Sequence, residues 1–139
     1  MKTYILDENN VAIPCEDFFE WAEWFARNGR QVKETQVKGY RISTVFLGLD
    51  LNFSGEGDPA LFETMVFFED DYSSPVPFTV ANKLPIFDDL LCTSFRCGFF
   101  LEAQQHHDKI TAEILNRIAE NEAYAEGSVS QALEAIRQH

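Results

Sequence analysis

Two segments of this chain, Tyr40 to Leu49 and Leu61 to Phe68, read as strands that are apolar on both faces, and no other feature constrains the fold as much. Strand side chains alternate between faces. In the first segment Arg41, Ser43, Val45, Leu47 and Leu49 point one way, and Tyr40, Ile42, Thr44, Phe46, Gly48 and Asp50 the other. In the second, Phe62, Thr64, Val66 and Phe68 oppose Leu61, Glu63, Met65 and Phe67. An antiparallel sheet in a small domain usually leaves one face to water, so two-sided strands call for helices on both faces or a second subunit on one. A homodimer is the expectation. The chain's 139 residues suffice for one domain, and thirteen Phe, four Tyr and two Trp supply the rings to fill it.

The flanking sequence supplies the other elements. Thr3 to Leu6 and Val11 to Ile13, on either side of Asp7-Glu8-Asn9-Asn10, predict a small hairpin that Pro14 ends. Asp17 with Glu20 opens a helix that stops at Asn28-Gly29. On it Phe18, Trp21, Ala22 and Phe25 form the expected buried stripe, and Phe19 and Trp24 read as the edge of a wide core face. Gln31 to Thr35 alternates weakly, Lys38-Gly39 is a turn, and Asn52 to Pro59 reads as a mobile loop. Glu69 to Pro77 reads as an acidic loop, Phe78 to Phe87 as irregular or an edge strand, and Thr93 to Cys97 as the last strand. A helix follows from about Phe99 to Glu120, with Ala103, His107, Ile110, Ile114 and Ile118 on one face. Asn121 to Gly127 should fray, and Ser128 with Gln131 should cap a short terminal helix. The expected fold is α+β: an antiparallel, meander-like sheet with one N-terminal helix and a long C-terminal helix packed on it. Residues 1–120 make the domain, and residues 121–139 a helical extension.

Charge narrows the partners. Eleven Lys and Arg against 23 Asp and Glu leave a formal net charge of −12, which disfavours direct nucleic-acid binding and docking on an anionic membrane. No apolar run approaches the about 20 residues of a membrane span. Three cysteines and a start without an apolar leader suggest a reducing, cytoplasmic setting.

Chemistry-bearing motifs are sparse. Cys92, Cys97, His106 and His107 form the one cluster of metal-ligating types, but four residues part the cysteines and adjacent helical histidines diverge by about 100°. No metal or cofactor is expected. His107 should be a hydrogen-bonded core residue and His106 solvated. No G-x-S-x-G elbow is present, and the abundant carboxylates pair by chance, so no catalytic residue is assigned and no enzyme is expected. Polar residues on the two strongest strands stand out. Arg41 and Glu63 can pair across strands, or Arg41 with Tyr40 and Phe46 can line a pocket. The candidate binding residues are Tyr40, Arg41, Ser43, Phe46, Asp50, Asn52, Glu63 and His107.

The segments Asp17 to Phe25, Arg41 to Phe53 and Leu61 to Phe67 together resemble a group of small phage and prophage proteins of unassigned function. Those proteins carry an R-x-S-T-V-F-L-G-L-D-x-x-F segment, a Gly/Pro loop and an L-[FW]-E-T-M-V-F segment. The likeness runs from about Tyr4 to Phe68, with a weaker echo at Arg96, Glu102-Ala103 and His107. Phe99 stands where the group has a Thr helix cap, and Ala119 to His139 extends past the shorter relatives. The resemblance implies a phage or prophage origin and a host-cell cytoplasmic setting, without an activity. With the acidic charge it suggests a non-enzymatic protein that binds a host or phage protein, for instance as a host-defence antagonist. The alternatives are an oligomer holding a nucleotide-like ligand at its interface, or a virion assembly component.

Overall fold

The computed structural model describes residues 2–68 and 94–137. The expected acidic loop at Glu69 to Pro77, the segment Phe78 to Phe87, and Cys92 lie outside them. Strand β1 (Tyr4–Leu6) pairs antiparallel with β2 (Ala12–Pro14), Ile5 opposite Ile13. The Asp7 carboxylate closes their turn by accepting from the Asn9 and Val11 amides. Helix α1 (Phe18–Asn28) follows; Asp17 caps its start by accepting from the Phe19 and Glu20 amides, and Gly29, at φ +71°, closes its end.

A four-stranded antiparallel meander comes next, in the order β3 (Gln31–Val37), β4 (Tyr40–Phe46), β5 (Phe62–Phe68) and β6 (Ser94–Cys97). Both residues of the β3–β4 turn have positive φ, Lys38 at 44° and Gly39 at 87°, as the tightest hairpin turns require. Strand β4 ends at Phe46, short of the expected Leu49. The cause is Gly48, at φ +72°, where a Cβ would stand 2.0 Å from the Phe25 ring. There α1 packs directly on the backbone, and the Trp21 indole donates to the Gly48 carbonyl.

Helix α2 runs unbroken from Phe100 to Arg137. The expected fraying at Asn121 to Gly127 and separate terminal helix do not occur. Glu122, Ala123, Ala125 and Glu126 are strong helix formers, and a single interior Gly costs only about 1 kcal/mol. Its expected face is the buried one: Ala103, His107, Ile110 and Ile114 lie against the sheet, with Ile118 at the edge of the core. Ala103 joins a cluster with Phe46, Leu61, Phe62 and Cys97 at one end of the sheet, and Ile110 and Ile114 join Tyr40, Ile42 and Val66 at the other. The helix thus runs opposite to β4.

Helix α1 departs from expectation. None of its residues is fully buried. Trp24 and Phe25 pack on Phe46, with the Phe25 and Phe46 rings stacked at 5.8 Å. Trp24 is therefore the core-edge aromatic the sequence suggested, whereas Phe18, placed on the buried stripe, is 64% exposed, and Phe19 is 82% exposed.

Candidate functional site

The most buried polar feature is a rung of hydrogen bonds across the core. His107, fully buried on α2, has its Nε2 2.8 Å from the Thr35 hydroxyl of β3 and its Nδ1 2.8 Å from the Thr44 hydroxyl of β4. Thr44 continues the rung to Thr64 of β5 at 2.7 Å. A neutral imidazole offers one donor and one acceptor, and hydroxyls serve as either, so both ring nitrogens are satisfied. Burial, with the nearby Lys33 charge, holds the His107 pKa below its usual value, against a smaller upward pull from Asp108. His107 is thus a core histidine, as the spacing suggested, and is closed to any ligand.

The other candidate residues separate by strand alternation. Tyr40 and Phe46 face α2 and are buried, whereas Arg41 and Ser43 face the opposite side of the sheet, so no pocket is lined by Arg41, Tyr40 and Phe46 together. The Arg41–Glu63 pair does not form. Register sets Arg41 across from Phe67 and Glu63 across from Val45. Arg41 lies over the Phe67 ring at 4.3 Å and 3.6 Å from Glu34, while Glu63 takes Arg96 of β6 at 2.8 Å. Ser43 is buried and receives the Gln31 amide. These contacts explain how strands apolar on both sides carry a face with no helix on it among the described residues: Arg41 lies across the Phe67 ring, and Arg41 and Arg96 pair with carboxylates.

Asp50 and Asn52 shape the loop that the sequence suggested was mobile. Asp50 accepts from the Asn52 and Ala60 amides at 2.9 Å each. The Asn52 side chain donates to the Glu56 and Asp58 carbonyls and accepts from the Ser54 hydroxyl. The loop is therefore pinned from within. With Lys2, Tyr4, Phe53 and Pro59 these two residues line an open cleft of about 370 Å³. A second cleft of about 240 Å³ lies between Trp24, Phe46 and Phe100, with Asp7 and Arg30 at its polar side.

The surface that stands out is one the candidate list omitted. The first half of α1 exposes Phe18 and Phe19, edge to face at 6.0 Å, among the exposed carboxylates Glu16, Asp17, Glu20 and Glu23. Arg27, the sole cation on α1, is already paired with Glu23 at 2.6 Å. The sequence held a signal for this: adjacent Phe residues on a helix diverge by about 100°, so one apolar stripe cannot bury both.

Cys15 and Cys97 are buried free thiols whose pKa values burial pushes up, which keeps them protonated. Among the described residues no group of three or more His, Cys, Asp or Glu is placed to hold a metal, and no helix is long and apolar enough to cross a membrane. The fold and this surface define a small α+β domain with an acidic-aromatic helix face. Comparison with protein-family models, with curated proteins and with solved structures returns no match.

Proposed function

We propose that this chain is a non-enzymatic accessory protein of a phage or prophage, acting as a homodimer in the host cytoplasm, and that it binds a host protein through an acidic surface, as an antagonist of host defence would. The observation that supports this reading is the α1 face, where two exposed phenylalanines stand among four carboxylates. Burying one such ring is worth about 1.5–3 kcal/mol, so the pair is an anchor in search of an apolar pocket. The surrounding carboxylates select a pocket rimmed with Lys or Arg, speed encounter and reject acidic surfaces. Proteins that handle nucleic acid carry such basic rims.

The test is capture from bacterial lysate by the tagged chain, at low and at high salt, with mass spectrometry of retained proteins and of small molecules released on heating. The expected result is a stoichiometric protein retained at low salt and lost at high salt. Retention indifferent to salt contradicts the acidic-surface reading. A released metabolite without a protein would favour the ligand reading, and copurification with particles the virion reading.

A further inference from the structure

A seven-residue strand offers α2 about 23 Å of sheet to lie on, and about fifteen helical residues cover that length. Ala103 and Ile118, fifteen residues apart, pack in the core clusters at the two ends of the sheet. Four residues further on, Glu122 is ion-paired with Lys38 in the β3–β4 turn. The helix nonetheless continues over residues 123–137, about 22 Å beyond that contact. A free helical segment of this length is marginal in water. Gly127, Ser128, Val129 and Ser130 weaken it further.

Apolar residues are exposed both at the root of this overhang and near its tip. Leu115 is 49% exposed beside Ile118, and Leu133 and Ile136 are 51% and 72% exposed. Eighteen residues make five full helical turns at 3.6 residues each. Leu133 therefore lies on the same line of the helix as Leu115, and Ile136 on the same line as Ile118, so one narrow stripe carries an apolar pair at the root of the overhang and another near its tip. Such a stripe is self-complementary under a two-fold axis. Turned antiparallel about a centre between Ala125 and Glu126, Leu133 of one copy comes level with Ile118 of the other, and Ile136 with Leu115. A parallel pairing would set Glu122, which lies on the same stripe, against its own copy.

We infer that residues 123–137 of α2 form the interface of the homodimer, pairing antiparallel with α2 of a second copy; this rests on the dimer in the reading above and names the surface that makes it. The experiment is light scattering on the size-fractionated full chain, wild type beside L133E/I136E. The expected masses are twice the 15.9 kDa of the chain for wild type and the single-chain mass for the variant, with the near-ultraviolet tryptophan signal unchanged. A wild type of single-chain mass overturns the dimer reading and this inference together. A variant that keeps the doubled mass overturns this interface and leaves the dimer standing. If the charged variant disturbs the body, Leu133→Ala with Ile136→Ala is read in the same way, and a dimer dissociation constant raised less than tenfold counts against the interface.

Discussion

The Thr44 hydroxyl lies 2.8 Å from His107 Nδ1 and 2.7 Å from the Thr64 hydroxyl, and this rung divides an otherwise apolar core. The Tyr40, Ile42 and Val66 cluster lies on one side of it and the Phe46 and Phe62 cluster on the other. The rung fixes how α2 sits along the sheet. Sliding the helix by one turn would set Ala103 or Ile110 against three threonine hydroxyls and drive His107 into hydrocarbon, stranding polar groups on both sides.

Thr44→Val keeps the shape and removes both bonds. The change strands the His107 nitrogen and takes one partner from Thr64, at about 1–3 kcal/mol for each buried group left unpaired. Thr64→Val should cost less, because Thr44 keeps its bond to His107. Urea denaturation of the two variants checks the order; equal losses would contradict the rung.

Acid should weaken the fold earlier than carboxylate titration alone would. The His107 pKa is lowered in the folded state by burial first and by Lys33 second, so between the folded value and the unfolded value near 6.5 the unfolded chain binds more protons. Stability is then complete above about pH 6.5 and falls as pH drops below it, by up to about 1.4 kcal/mol per pH unit within the window. Denaturation midpoints at pH 7, 6 and 5 measure this slope. His107→Gln should flatten it, and an unchanged slope would assign the acid sensitivity to other groups.

Gly48→Ala should be costly although Gly48 belongs to no strand. The new methyl would stand 2.0 Å from Phe25 Cζ on a backbone at φ +72°. Overpacking and left-handed strain together amount to about 2–5 kcal/mol. A melting temperature within a degree of wild type would show that α1 does not rest on this backbone.

Asp50→Ala should loosen the 50–60 loop. It removes the acceptor for two backbone amides, those of Asn52 and Ala60, and charge-assisted bonds of this kind are worth about 1.5–3 kcal/mol. Hydrogen exchange at the Ala60 amide should accelerate markedly while exchange in β4 stays slow.

The fold was legible where periodicity and local punctuation agree. Asp17 and Gly29 cap α1 as their residue types indicate, and the α2 face from Ala103 to Ile118 is the buried one. The candidate site was legible only in part. Alternation placed Tyr40 and Arg41 on opposite faces, which already argued against a shared pocket, and the choice of Glu34 and Glu63 as ion-pair partners depends on register and on Arg96, which periodicity does not carry. Phe18 has the spacing of a core residue. It is exposed because the sheet end is already filled by Trp24 and Phe25 against Phe46, a fact of packing with no sequence pattern of its own. The overhang was hidden for a similar reason: the length of α2 is local, but the length of the sheet beneath it follows from strands paired far along the chain.

Binding of a protein partner by the α1 face is tested most directly by comparing the affinity of wild type and of F18S/F19S for the protein captured at low salt. Both rings are exposed, so the variant should keep the stability of wild type to within about 0.5 kcal/mol. It should lose at least a hundredfold in affinity, as expected when two anchor rings are removed. An equally stable variant that binds as tightly as wild type would contradict it.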